Sequence, residues 1–495
     1  MYFLLHYKYI IVFDVKSKTM SSAAAERETR RKETFKHVNV DGRRKREEKQ
    51  IKIRKDKKAT LLKKRRMQKG SFDTNASIAQ LCRDMTNHTK QLHAMTTFRK
   101  LLSLEENPPI TAIVETGVHR QFVQFLTHSD ARIQLEAAWA LTNIASGTRY
   151  HVNAIIHAGA LKGFVYFLNS SNAAMRKQCL WGIGNIAGDS TECRDMVLNL
   201  KCLPNILAMI GPSSNVETLR NATWVLSNLC RGKPSPNFDL LLPAIPVLGQ
   251  LVRSSDDDIL IETLWAISYL TDAPDRQIET VVQEGVVPFI LKLMNHPNFS
   301  VQTPAIRTVG NIVSGHEKLT QIVIDGGAVL ILRQKLDSFS RPIRKEACWA
   351  ISNIAAGSES QIQALMDHDI FTPLFQMIKD THMDIRKETA WVLSNMASGN
   401  SSSEQKQYMA HFGLHRALYH FLSENGAYPG DVLKNVLEAL KILMRDQNEL
   451  VSDMEDCGLD VILTQLQAHQ NTEIYDAAVQ ILEEFFDCEC EDIEF

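Results

Sequence analysis

IRKEACWAISNIAAG, residues 343–357, and TAWVLSNMASG, residues 389–399, are two versions of one pattern. Trp349 and Trp391 hold the same place in each, and an asparagine follows four residues later, Asn353 and Asn395. The other four tryptophans of the 495-residue chain, Trp139, Trp181, Trp224 and Trp265, fall on the same register. The steps are 42, 43, 41, 84 and 42 residues, and the double step passes over Arg307. At +4 from these positions stand Asn143, Asn185, Asn228, Tyr269 and, after Arg307, Asn311. A period of about 42 residues is that of stacked helical repeats, each unable to bury its apolar face except against its neighbours.

The repeat is of the armadillo or HEAT kind, and one copy shows its plan. After Gly326-Gly327, AVLILRQKL reads as a first helix, and DSFSRP as a loop with Pro342 near a helix start. IRKEACWAISNIAA is the second helix, stopped by Gly357, and SESQIQALMDHDI makes a short helix before the next unit. Ile343, Ala347, Ala350, Ile351 and Ile354 follow helical spacing and predict the buried stripe. Trp349 and Asn353 lie off that stripe, centred roughly 130° away at 100° per residue, with Glu346 one turn earlier on their side. Glu388 and Asn395 repeat the arrangement around Trp391. Stacked repeats would then align a Trp–Asn step from each into one long groove.

Parallel indoles would leave slots suited to the aliphatic stems of Lys and Arg, with cation–π attraction near each ring. An asparagine amide offers both a donor and an acceptor, so it can pair with an extended peptide backbone whatever its sequence. Acidic residues at the groove edge would select ammonium and guanidinium heads. Neighbouring helices lie about 8–10 Å apart and an extended chain advances about 3.3 Å per residue, so roughly three ligand residues pass each repeat. Tyr269 and Arg307 break the ladder, and an arginine on the groove floor should repel a basic ligand. The expectation is two basic-peptide sites, one on each side of residues 269–307.

Charge is unevenly distributed. Residues 27–69 hold 20 Lys/Arg against 6 Asp/Glu, a local +14, while the net charge of −1 leaves −15 on the remainder. A basic arm tethered to an acidic body is drawn to that body or to its partners. The nine cysteines are scattered without a CxxC pair, as in a cytosolic or nuclear protein with reduced thiols. Cys179 and Cys348 read as small core residues, and the CxC at 488–490 is too short a motif to predict a metal. Residues 1–19 carry an apolar run interrupted by Lys8, without a small-residue cleavage site and too short to span a bilayer. They read as a non-structural extension ahead of Met20, and no transmembrane segment follows. Residues 20–69 form the basic, largely disordered arm, 70–486 the repeats and 487–495 an acidic tail. NTEIYDAAVQILEEFF, before that tail, reads as a last amphipathic helix.

No nucleophile–base set, phosphate loop or metal quartet is present, so neither enzymatic activity nor a cofactor is expected. Gly182, Gly184 and Gly188 make only a GxGxxxG inside a repeat helix, not a dinucleotide fingerprint. His151, His157 and His316 read as exposed polar residues.

Taken together, AAWALTNIASG, LWGIGNIAGD, ATWVLSNLCRG, LWAISYLTD, ACWAISNIAAG and TAWVLSNMASG resemble successive third helices of the importin-α (karyopherin-α) family. ETRRKETFK…KIRKDKKATLLKKRRM resembles its importin-β-binding segment, and the likeness runs from residue 24 to about 490. It implies an all-α, armadillo-repeat, right-handed superhelical solenoid of about ten repeats. It further implies an adaptor that shuttles between cytoplasm and nucleus and passes the nuclear envelope, meeting nuclear pore components only indirectly. Its major site for nuclear localisation signals would comprise Trp139, Asn143, Ser146, Gly147, Gln178, Trp181, Asn185, Asp189, Trp224 and Asn228, with Asp189 taking the most discriminated lysine. The minor site would comprise Arg307, Asn311, Glu317, Glu346, Trp349, Asn353, Glu388, Trp391 and Asn395. Val152 departs from a threonine usual in the family, while Glu262 and Glu317 replace aspartates and keep the charge. Lys63, Lys64, Arg65 and Arg66 would fold back into the major site when importin-β is absent. The repeats at about 430–486 would meet an export receptor working with Ran-GTP. Nucleic acid and membrane are not expected partners. A scaffold for adhesion or signalling partners, like β-catenin, is the alternative; such scaffolds present a basic groove, whereas this body is acidic.

Overall fold

Among the described residues ten long helices recur at the period of the tryptophans: α1 (Gln91–Leu102), α2 (Ala131–Ile144), α3 (Ala173–Ala187), α4 (Val216–Cys230) and α5 (Asp257–Thr271). They continue as α6 (Phe299–Val313), α7 (Arg341–Ala355), α8 (Met383–Ser398), α9 (Gly430–Asp446) and α10 (Thr472–Phe485). The computed structural model describes residues 74–486 apart from 105, 212–213 and 425–427. Each long helix packs against the one before and the one after, and shorter helices bridge successive turns. The result is an armadillo solenoid, built in its described part from helices. Its core is one continuous apolar cluster from Ile78 to Leu482.

Local sequence explains where the long helices begin. Asp130, Asn172, Asn215, Asp256, Asn298 and Asn471 each accept a backbone N–H in the first turn of the helix that follows. Such a cap is worth about 1 kcal/mol, and it recurs at one place in the repeat. α7 instead has Pro342 in its first turn, where the missing N–H costs nothing. The shorter helices Ala160–Phe167, Ala328–Leu336, Leu414–Ser423 and Leu459–Leu466 each follow a glycine at φ 84 to 97°. A Cβ would strain that left-handed turn, so glycine recurs there.

The helices expected from AVLILRQKL, SESQIQALMDHDI and NTEIYDAAVQILEEFF form as Ala328–Leu336, Glu359–Met366 and α10. Ile343, Ala347, Ala350, Ile351 and Ile354 are all fully buried, as are Cys179 and Cys348. Burial pushes the Cys179 thiol up to about 12, which keeps it an inert core group.

Neighbouring repeats are also tied by side chains that sequence spacing does not announce. Three short helices open with a capping box whose third residue reaches back one repeat: His151 to Thr111 Oγ1 (3.0 Å), Gln361 to the Glu317 carbonyl (3.0 Å) and Gln405 to the Glu359 carbonyl (3.1 Å). Arg194 is buried in the helix Thr191–Asn199 and pairs with Asp195 at 2.8 Å. Its Nη1 donates to the carbonyls of Arg231 (2.6 Å) and Pro234 (3.0 Å), pinning the loop after α4. Arg194→Ala should leave those carbonyls without their donor and cost about 2–4 kcal/mol. Hydrogen exchange should quicken at residues 231–241; unchanged exchange there would mean the loop is held otherwise.

Candidate functional site: the indole and asparagine ladder

The +4 asparagines occupy one geometric niche. Asn185 Nδ2 donates to the Thr142 carbonyl (3.1 Å), Asn228 to Gly184 (3.1 Å) and Asn311 to Ser268 (2.7 Å). Asn353 donates to Gly310 (3.3 Å) and Asn395 to Ser352 (3.0 Å). In every case the acceptor is the carbonyl three residues after the tryptophan position of the preceding repeat. Asn143 donates instead to Ser103 Oγ (2.9 Å). All six asparagines are buried. One of the two N–H donors of each amide is thus spent on stitching repeats together. The carbonyl oxygen of Asn185 has no partner.

The indoles differ from the expected row of open slots. Trp181 and Trp391 are buried, and Trp139, Trp224, Trp265 and Trp349 are half-buried. Trp181 and Trp224 have ring centroids 5.4 Å apart, tilted by 37°. An aliphatic stem between two rings needs about 3.5–4 Å on each side, so this pair must part or be contacted at its edges. The cause lies in the preceding repeat. A Cβ on Gly184 would meet the Trp224 ring at 2.1 Å, and one on Gly310 would meet Trp349 at 2.2 Å. Each of these indoles thus lies across bare helix backbone. Small residues recur at that position, Thr142, Ser227, Ser268 and Ser352 in the other repeats. This requirement went unread in the sequence, although a small residue three after each tryptophan was its visible signal. It also accounts for two of the glycines of α3: Gly184 admits Trp224, and Gly182 admits Phe164.

The acidic residues are placed unequally. Glu346 is buried and paired with Arg307, whose Nε lies 3.1 Å from Glu346 Oε2. The Arg307 guanidinium also lies over the Trp265 ring at 5.5 Å. Arg307 is therefore not a bare charge repelling cations; it is neutralised and stacked, and Glu346 is already engaged. The carboxylate partner raises the Arg307 pKa even against its burial. Glu388 is buried, and Glu262 accepts from Ser227 Oγ at 2.6 Å. Glu317 is exposed in the first turn of the helix Glu317–Asp325. Tyr269 stacks on Trp265, with centroids 6.0 Å apart.

α3 and its C-terminal turn carry the clearest functional signal. Gln178 Oε1, Asn185 Oδ1 and Asp189 Oδ2 are buried acceptors without a hydrogen-bond partner. Gln178 and Asn185 are two turns apart on one face, on which Trp181 also falls, and Asp189 follows the Gly188 cap. Unpartnered buried acceptors are costly, so this cluster is suited to a ligand that brings only donors. Ser146 Oγ is turned onto the Asn143 carbonyl (2.6 Å), and Gly147 leaves room for the His151 ring, which a Cβ would meet at 2.3 Å. Val152 is wholly buried. His157 is exposed as expected, but His151 is buried and His316 is half-buried against Glu279 at 2.6 Å. Lys63, Lys64, Arg65 and Arg66, the segments 1–19 and 20–69, and the tail 487–495 lie outside the described residues. Among the described residues no helix is long and apolar enough to cross a membrane, and no group of three His, Cys, Asp or Glu could hold a metal.

Comparison with known proteins agrees with the repeat architecture. The armadillo/beta-catenin-like repeat matches residues 106–146, 149–188, 190–231, 239–272, 274–314 and 316–356. A HEAT-like repeat matches 341–396 and an atypical Arm repeat 448–494. Importin subunit alpha-1a of Oryza sativa subsp. japonica is 42% identical over 323 residues, 61% of either chain. Importin subunit alpha-3 of Arabidopsis thaliana is 39% identical over 301 residues, 57% of either chain. The chain thus spans about six tenths of the length of these relatives. An engineered protein of known crystal structure superposes with a TM-score of 0.75 at 26% identity, covering 83% of this chain and 98% of its own.

Gly184→Ala should push the Trp224 ring out of place and cost about 1–3 kcal/mol through overpacking. The near-UV circular dichroism of the indole pair should change while the far-UV spectrum is kept; an unaltered near-UV band would mean the ring does not rest on α3. Burial lowers the pKa of His151, whose Nδ1 accepts the Thr148 N–H at 3.0 Å and must stay unprotonated. A depressed histidine contributes stability that is present above the unfolded value of about 6.5 and is lost as pH falls through it. The melting temperature should accordingly drop between pH 7.5 and 5.5. His151→Gln, which installs the residue used at the equivalent Gln361 and Gln405, should remove part of that drop; an identical pH profile would exclude His151 as a contributor.

Proposed function

Because this chain is an armadillo-repeat protein related to importin α subunits, we propose that it is a nuclear import adaptor that receives lysine- and arginine-rich localisation signals in its indole and asparagine groove. One observation carries the reading: the three unpartnered acceptors Gln178 Oε1, Asn185 Oδ1 and Asp189 Oδ2, spaced along α3 and its C-terminal turn with Trp181 among them. Gln178 and Asn185 stand about 10 Å apart along α3, so the ammonium and guanidinium groups of successive side chains, each rich in donors and without an acceptor, complement this row as no acidic peptide could. Asp189 takes the most discriminated lysine. Trp139, Trp181 and Trp224 hold aliphatic stems, and Asn143, Asn185 and Asn228 meet the peptide backbone through the capacity left after their stitching bonds. Glu388 and Trp391 with Asn395, and Trp349 with Asn353, form the second site beyond Arg307. The chemistry is binding alone, with no bond made or broken.

In this proposal the basic segment 20–69 links cargo to importin-β and, in its absence, lays Lys63, Lys64, Arg65 and Arg66 into the groove. The +14 of residues 27–69 against −15 elsewhere supports it. A tethered competitor acts at roughly millimolar effective concentration, enough to suppress weak ligands until importin-β removes it. The repeats at about 430–486 are proposed to meet the export receptor with Ran-GTP. Such a protein would shuttle between cytoplasm and nucleus, with transient residence at the nuclear envelope.

Calorimetric titration of the chain with a lysine-rich peptide and with an acidic peptide of equal length tests the reading. The lysine peptide should bind and the acidic one should not. Asp189→Ala should weaken it by about 10–100-fold, the worth of a charge-assisted hydrogen bond in a shielded site. Preference for the acidic peptide would instead favour the adhesion-type scaffold. Deleting residues 20–69 should raise cargo affinity, and no change would sink autoinhibition.

A further inference from the structure

The register of the tryptophans extends one repeat further than the indoles do. Forty residues before Trp139 stands Arg99 on α1, and four residues after Arg99 is Ser103, the acceptor for Asn143. Four indoles in succession, Trp139, Trp181, Trp224 and Trp265, are thus flanked in one register by two arginines, Arg99 and Arg307.

The two arginines use the same parts, a ring beneath the guanidinium and a glutamate from the next repeat. The Arg99 guanidinium lies over the Trp139 ring at 4.7 Å, and Arg99 Nε donates to Glu136 Oε2 at 2.7 Å. The Arg307 guanidinium lies over the Trp265 ring at 5.5 Å and pairs with Glu346. Glu136 and Glu346 each stand three residues before a tryptophan, so both carboxylates come from the same position of their repeats. Both arginine side chains are largely enclosed, 14% and 15% exposed, which favours a fixed fork over a mobile surface charge. Each guanidinium lies over the last indole at its end, one from the preceding repeat and one from the following.

We propose that Arg99 and Arg307 are matched end-stops that fix the length of basic peptide the Trp139–Trp265 run accepts. Each stop occupies, from within the chain, the place of a ligand cation on the terminal indole, and each uses up the carboxylate that such a cation would need. This rests on the groove reading above and adds a length limit to it: at roughly three ligand residues per repeat, the run admits one basic stretch of about nine to twelve residues. A lysine placed one repeat beyond either end finds the terminal ring already covered, and the glutamate that holds the stop, Glu136 or Glu346, already paired.

The test uses the full chain and three sets of labelled peptides at physiological salt. One is a lysine-rich core; the others extend it by three residues at the N- or the C-terminal side, ending in Lys or, as control, in Ser. The read-out is the ratio of affinities of the Lys-ended and Ser-ended peptides, which the basic arm, competing with both alike, leaves unchanged. For the wild-type chain the ratio should stay within about twofold at both ends. Arg99→Gln should raise it about fivefold or more at one end, and Arg307→Gln at the other, because each frees an indole face and a glutamate. Arg99→Lys, which keeps the cation, should leave the ratio low and guards against a merely structural effect. The proposal is overturned if the wild-type chain already gains from the added lysine, if neither Gln variant gains, or if both gain at the same end. If the core peptide itself does not bind the wild-type chain, the groove reading fails instead.

Discussion

Everything in this molecule depends on how closely each long helix can approach the one before it. The distance is set by a pair of contacts that recur along the stack: an asparagine amide donating to a main-chain carbonyl of the preceding repeat, and the residue one position before that asparagine kept small. Where the small residue is glycine, at Gly184 and Gly310, the next indole lies directly on helix backbone. A buried amide bonded to a carbonyl that already serves its own helix fixes both the spacing and the rotation of adjacent helices, since a slip of one residue would strand both groups. Apolar burial supplies the bulk of the driving force along the continuous core, but it is not directional. The amide bridges are.

The same contacts define the groove. The side chains that hold the repeats together face the surface that the proposed ligand would cover, so structure and recognition share residues. This explains why the asparagines are less free than their sequence position promised, and α3 with its C-terminal turn is one place where acceptors stay unmet. There Gln178, Asn185 and Asp189 retain oxygens that no neighbour satisfies. At α6 and α7, by contrast, Arg307 and Glu346 satisfy each other. The ladder is uniform in sequence and uneven in unmet demand.

Much of the fold was legible without coordinates. The period named the architecture, the apolar stripe of Ile343 to Ile354 named the buried face, and the positions of Pro342 and Gly357 named the ends of α7. The site was legible in its membership but less so in its state. Trp181 touching Trp224, Glu346 spent on Arg307 and His151 buried as a cap all depend on what the adjoining repeat brings, some 40 residues away. Sequence spacing within one helix cannot report that. Asn435, which donates to Asn395 Oδ1 at 3.3 Å, likewise continues the ladder past the last tryptophan, with Asp431 in the indole position.

The sequence by itself determined the repeat, its helices and their caps, the charge opposition between arm and body, and the register on which indoles and amides recur. Those properties are local or periodic, and a single chain read in order contains them. Tertiary structure alone decided which donors and acceptors remain unmet, which indoles are covered and where cations already sit on them. These depend on the fit between neighbouring helices, where a few tenths of an ångström and one missing methyl group decide whether an indole is open or closed.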